Sequence, residues 1–138
     1  RIWHTDEANN IAFSFYIETN CETKKLEGIT IEIAKILVNI FKEKYNIVLD
    51  IKVPNDIIYN NKKIGGILTE CKINSEKAKF LVIGIGINTE KINFSEDIKN
   101  VATSIKKEFG IDVDRTEIIT SFCNKFEETI IRRIKLWR

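Results

Sequence analysis

Phe80-Leu81-Val82-Ile83-Gly84-Ile85 is apolar on both faces of an extended chain, and such a run reads as the central strand of a sheet. Working back from it, Asn74-Ser75-Glu76-Lys77 has the composition of a turn, and residues 64–72 before that turn are rich in Ile and Leu. Residues 47–52 form a further apolar run. A short irregular link that includes Asn60-Asn61-Lys62 joins it to the second, so three neighbouring strands are expected as a meander. Further towards the N-terminus, residues 10–18 alternate Phe13, Phe15 and Ile17 with smaller or more polar neighbours, the period of a half-buried strand.

Helical periodicity occupies the rest. Leu26, Ile29, Ile33, Ile36, Leu37, Ile40 and Phe41 recur at spacings of three and four, predicting one amphipathic helix over residues 23–45. Ser95 is placed to cap a helix over 96–109 that ends at Gly110. Asp114 with Glu117 makes a capping pair for a last helix striped by Ile118, Phe122, Phe126, Ile130 and Ile134. There is no internal repeat, low-complexity segment or linker. The order strand, helix, strands, helices predicts an α+β domain whose helices pack on a mixed, largely antiparallel sheet.

Composition supports a single packed unit and narrows its business. The 138 residues are 43% hydrophobic with one proline, enough for one core over residues 1–138. Twenty-two basic and 20 acidic residues leave a net charge of +2, which argues against a broad polyanion-binding surface and makes any phosphate contact local. Cys21, Cys71 and Cys123 lie far apart with only His4 to join them, the pattern of ordinary thiols in a reducing compartment. No run is long and apolar enough for a bilayer and no signal-peptide order opens the chain, so the cytoplasm is the expected location and no membrane the expected partner. The abrupt start at Arg1-Ile2-Trp3 and the finish inside a helical pattern lead us to expect truncation at both ends.

Polar residues gather at the ends of the most apolar strands: Lys52, Asn55 and Asp56 after one, Lys62 and Lys63 before the next, Asn88 after the third. If these ends converge, Lys52 and Lys63 supply positive charge, Asp56 a hard oxygen suited to magnesium, and Asn88 a donor and acceptor able to read an adenine edge. Each piece also has a plainer explanation. Pro54 is commonest in a simple turn, with Asn55 or Asp56 as a local cap. Gly65-Gly66 within a strand marks either a bulge or a close approach to the backbone, with little to choose between them. Gly84-Ile85-Gly86-Ile87-Asn88 is half of a dinucleotide fingerprint without the third glycine or a following helix, so a Rossmann site is rejected and packing is the favoured reading of the piece alone. Trp3 by itself reads as core, and the basic residues of the last helix as its solvated face.

Taken together, Lys52-Val53-Pro54-Asn55-Asp56, Lys62-Lys63-Ile64-Gly65-Gly66-Ile67-Leu68 and Gly84-Ile85-Gly86-Ile87-Asn88 stand in the order and spacing that resemble biotin-protein ligases. The resemblance runs from Arg1-Ile2-Trp3, similar to the end of that family's biotin loop, through Asn10 into the last helix. It implies a class II aminoacyl-tRNA synthetase-like catalytic domain that joins biotin to ATP, with magnesium, and passes biotin to a lysine of a biotin carboxyl carrier protein. By the same resemblance Lys63, Asp56 and Lys52 would be catalytic, with Asp56 also serving the metal. Arg1, Gly65, Gly66, Leu68, Gly84 and Gly86 would bind biotin, and Trp3, Asn55 and Asn88 the nucleotide.

Val53 departs from the family's usual tryptophan, and the Ser/Thr, Gln and most Arg residues that grip biotin would precede Arg1. No DNA-binding domain or C-terminal barrel is expected within the chain, and a homodimer stays open. Three rivals are carried: a lipoate ligase or octanoyl transferase, a non-catalytic remnant serving as a binding module, and a nucleotide-binding protein without acyl transfer. The ligase reading requires Lys63, Asp56 and Asn88 to meet around one cavity floored by the glycine pairs.

Overall fold

The computed structural model describes residues 10–135. In chain order they form β1 (Ile11–Glu22), a 3-10 turn (Thr23–Leu26), α1 (Ile29–Tyr45), β2 (Asp50–Lys52), β3 (Asp56–Tyr59), β4 (Lys62–Asn74), β5 (Lys77–Ile87), α2 (Ile105–Phe109) and α3 (Arg115–Phe126). A π-helical turn (Glu127–Ile131) then joins α3 to α4 (Arg132–Lys135). The five strands make one sheet in the order β1-β5-β4-β3-β2, and every strand pairing is antiparallel. The α+β expectation holds, and the one parallel pairing among the described residues is an isolated bridge between Lys63 and Ala102.

The apolar run Phe80–Ile85 lies in β5, hydrogen-bonded on one side to β1 and on the other to β4. Alternation along the strands sorts the sheet into two faces. One carries Ile11, Ile87, Gly65, Ile57 and Ile51 in a cross-strand row, with Phe13, Ile85 and Ile67 in the next. Against that face α1 buries Ile33, Ala34, Leu37 and Phe41, while Phe122 and Phe126 of α3 meet the rings of Phe13 and Phe15 at centroid distances of 5.1 to 6.1 Å. Side-chain hydroxyls of Thr30 and Thr69 join α1 to β4 at 2.8 Å. The other sheet face carries no helix among the described residues and holds the row Ala12, Gly86, Gly66, Asp56, Lys52.

Several boundaries differ from the sequence expectation. The helix expected from residue 23 begins at Ile29, because Gly28 at φ +74° cannot continue a right-handed turn and separates the 3-10 turn from α1. The helix expected over 96–109 is reduced to α2, capped by Ser104, whose hydroxyl accepts from Lys107 N at 3.0 Å, and not by Ser95. The cause is a competing set of backbone bonds: Lys63 N donates to Val101 O at 2.8 Å and Thr103 N to Lys63 O at 2.9 Å, which draws 101–103 onto β4 in extended form. The link between the second and third apolar runs contains a strand of its own, β3, while β2 is shorter than expected.

Asp114 caps α3 as expected, accepting from Glu117 N at 3.1 Å. Its stripe of Ile118, Phe122, Phe126, Ile130 and Ile134 is buried throughout. A strict spacing of four drifts around an α-helix of 3.6 residues per turn, and the wider π turn at 127–131 keeps the stripe on the core.

Candidate functional site

Over the helix-free face lies an open cleft of about 720 Å³, lined by Ala12, Ser14, Asn55, Gly66, Leu68, Glu70, Gly84 and Gly86, with Phe13, Ile67 and Ile85 between them. Its floor follows from strand register. Ala12 pairs with Gly86 and Gly86 with Gly66; one row on, Ser14 pairs with Gly84 and Gly84 with Leu68. Three glycines, an alanine and a serine thus leave a patch of sheet with almost no side chain above it, while Leu68 stands up beside it, 59% exposed. Volumes of this order suit a small organic ligand.

Charge stands at one end. The row through Gly66 continues to Asp56 and Lys52, and Lys63 Nζ lies 3.2 Å from Asp56 Oδ1, with side-chain exposures of 23% and 16%. Lys63 reaches that face through a bulge. Ile57 pairs with Gly65 but Ile58 with Lys63, so Ile64 is an extra residue and the strand's alternation is shifted by one. Without it, Lys63 would point to the helix side. Gly65-Gly66 therefore adjoins a bulge and also borders a cleft, and both readings of that pair are realised. Asn55 sits at the same end, its carbonyl accepting from Ile67 N at 2.9 Å, and Lys52 is exposed at the sheet's edge.

Asn88 follows Gly86 by two residues and is 7% exposed. Its Nδ2 donates to the Thr103 carbonyl at 3.2 Å, its backbone N–H to Ile64 O at 2.8 Å, and its Oδ1 accepts from Asn10 Nδ2 at 3.4 Å. Since Thr103 N donates to Lys63 O, Asn88 and Lys63 are held one residue apart through Thr103. Lys63 and Asp56 thus pair beside Gly66, and Asn88 is tied to the Lys63 backbone through Thr103, while none of the three is among the residues that line the cleft.

One expected lining residue is corrected. Gly65 belongs to the row facing the helices, and a Cβ there would stand 2.8 Å from Gly86 O, so its missing side chain serves strand packing and not the cleft. Gly84 is the opposite case, with Leu68 as the nearest neighbour at 4.0 Å. Arg1 and Trp3 lie outside the described residues, as does His4. Ala12, Ser14, Glu70 and Thr103 were not singled out from sequence. Ser14 alternates with Phe13 and Phe15, a signal that it faces away from the core; Thr103 carries none.

The profile of the biotin/lipoate A/B protein ligase family matches residues 1–88, well over half of the chain. The chain belongs to this family. Its relatives in the biotin/lipoate ligase family include the "Bifunctional ligase/repressor BirA" of Bacillus subtilis, 34% identical over 130 residues. That match takes in 93% of this chain and 40% of the relative. The protein of the same name from Escherichia coli is 25% identical over 118 residues, 86% of this chain and 37% of the relative. Among solved members, the "Biotin protein ligase from Aquifex aeolicus in complex with biotin and ATP" superposes with a TM-score of 0.78 at 27% identity. This match covers 98% of this chain and 55% of that one. The chain thus spans about 40% of the length of the curated relatives and about half that of the solved ones. No helix among the described residues is long and apolar enough to cross a membrane.

Proposed function

We propose that the chain carries the sheet side of a biotin-protein ligase active site, which activates biotin with ATP to biotinyl-5'-AMP and transfers it to a lysine of a biotin carboxyl carrier protein in the cytoplasm. The observation that supports this most is the Lys63–Asp56 pair standing at the head of a floor stripped of side chains. A linear acid could lie along Gly66, Leu68, Gly84 and Gly86 with its carboxylate at Lys63. There a fixed cation would stabilise charge developing on the acyl phosphate.

In the first step a biotin carboxylate oxygen bonds to the α-phosphorus of ATP as the bond to pyrophosphate breaks. In the second the carrier lysine amine attacks the acyl carbon, losing a proton as AMP leaves. Lys52, opposite Asp56, would add positive charge near the phosphates; Asn55 and Asn88 would meet the nucleotide, with Trp3 over its base and Arg1 in the loop that closes over the acid. Closure of this kind keeps water from the mixed anhydride. Magnesium would assist the first step with Asp56 as its protein oxygen. One carboxylate at this place suits magnesium carried on ATP phosphates with its own waters.

The test mixes the chain with biotin, MgATP and a carrier domain and reads the carrier by mass spectrometry. A biotinyl mass on one lysine, lost in Lys63→Ala, is the expected result. Binding of biotinyl-adenylate and lipoyl-adenylate separates the two acids the family is named for: tighter lipoyl-adenylate binding would turn the reading to lipoate. Binding of biotinyl-adenylate without carrier modification would leave a binding module in place of an enzyme.

A further inference from the structure

The carboxamide of Asn88 is oriented from two sides by groups that cannot exchange roles. Asn10 Oδ1 accepts from the backbone N–H of Thr89 at 2.9 Å and of Glu90 at 3.1 Å, which leaves Asn10 Nδ2 to face Asn88 Oδ1. On the far side the Thr103 carbonyl accepts from Asn88 Nδ2. Two N–H groups thus stand at one end of the chain of amides and a C=O at the other. Turning over either asparagine would set donor against donor or acceptor against acceptor, so one arrangement survives. Asn88 is buried, which makes an unmatched amide there costly.

We propose that Asn10 is a positioning residue for base selection: by fixing the Asn88 carboxamide it makes the site prefer adenine to a purine with a carbonyl at C6. The inference rests on the reading above in which Asn88 meets the adenine. With one Oδ1 lone pair given to Asn10 and one Nδ2 hydrogen to Thr103, Asn88 keeps one acceptor and one donor. That set complements adenine, which offers an amino donor at N6 and an acceptor at N7. Hypoxanthine replaces the amino donor with an oxygen, so one of the two bonds becomes a clash of acceptors. Asn10 acts through Asn88 alone.

Asn10→Asp separates this role from mere support. It keeps an oxygen for Thr89 and Glu90 but sets a second carboxylate oxygen against Asn88 Oδ1. The full chain and the variant are compared in two ways: by the side-chain amide resonances of Asn88 in 15N spectra without ligand, and by equilibrium binding of ATP and ITP with biotin present. In the wild type, one Asn88 Nδ2 hydrogen is expected to exchange slowly. In Asn10→Asp the Thr89 and Glu90 amides should stay protected while the Asn88 pair shifts, and the preference for ATP over ITP should fall about tenfold, the loss of one good hydrogen bond.

A wild type in which both Asn88 side-chain hydrogens exchange rapidly overturns the inference, and that measurement needs no variant. A variant that keeps both the Asn88 resonances and the ATP preference of the wild type overturns it alone. A wild type that binds ATP and ITP equally overturns the adenine role of Asn88 as well.

Discussion

Gly65 and Gly84 lie on neighbouring strands and lack a side chain for opposite reasons. Gly65 faces the helices, where the Gly86 carbonyl fills the place a methyl would need; Gly84 faces the cleft, where among the described residues only Leu68 comes as near as 4.0 Å. The contrast extends to the whole sheet. One face is covered by α1 and α3 and closed by isoleucine and phenylalanine, and the other is left open with small residues and one exposed leucine. Bare apolar patches of this kind are characteristic of ligand-binding surfaces, and the proposed function places the acid there.

This contrast breaks if residues on the two faces respond alike. The largest difference is expected between Phe122→Ala and Leu68→Ala. Phe122 is fully buried between Phe13, Phe15 and Phe126, and its truncation should lower unfolding free energy by about 3–5 kcal/mol in urea titration. Leu68→Ala should change it by about 0.5 kcal/mol or less while weakening biotinyl-adenylate binding. Next comes Gly65→Ala. The obstructing atom is backbone, so the strand itself must shift, and we expect a loss of about 1–3 kcal/mol by the same measurement.

Gly84→Ala sharpens the comparison from the other side. Its methyl meets only ordinary contact with Leu68, so stability should stay within about 0.5 kcal/mol, yet calorimetric titration should find biotinyl-adenylate bound about tenfold more weakly. A destabilised Gly84→Ala chain, or one with unchanged binding, would remove the distinction between the two glycines.

The smallest effect belongs to an ion pair between α2 and the segment that follows it. The hydrogen bond from Lys106 to Asp112, 2.6 Å long, holds the Asp112 carboxyl below its ordinary range and raises the Lys106 ammonium. A depressed carboxylate contributes stability above its unfolded pKa and loses it as pH falls through the folded one. A raised lysine contributes below its unfolded pKa and loses it as pH rises through the folded one. The pair's contribution should therefore be constant near neutrality and fade only in acid and in strong alkali. Asp112 is exposed and Lys106 half-exposed, so solvent screens the pair; Asp112→Asn should scarcely move the thermal midpoint at pH 7 and should flatten its acid dependence slightly.

Apolar runs, strand alternation and turn residues made the sheet readable, because β5 is apolar on both faces, β1 alternates Phe13, Phe15 and Ile17 with smaller or more polar residues, and Asp114 caps a helix with no competitor. The helix expected over 96–109 misled, since nothing local reveals that 101–103 will surrender its backbone bonds to Lys63. The bulge at Ile64 was half visible in Gly65-Gly66, but its consequence, the turning of Lys63 towards the cleft, depends on β3 being its partner. Asn10 was read only as part of a resemblance, because its three bonds run to residues 78 to 80 positions away.

The amino-acid sequence alone settled which residues could form strands and helices, which chemistry they could carry, and the family they resemble, because periodicity, capping and motif spacing are local properties. Tertiary structure alone decided that Gly65 supports the core while Gly84 floors a cleft, and that Lys63 shares a face with Asp56. Register and a one-residue bulge are set between strands, and the face a residue occupies changes with every single step of the pairing.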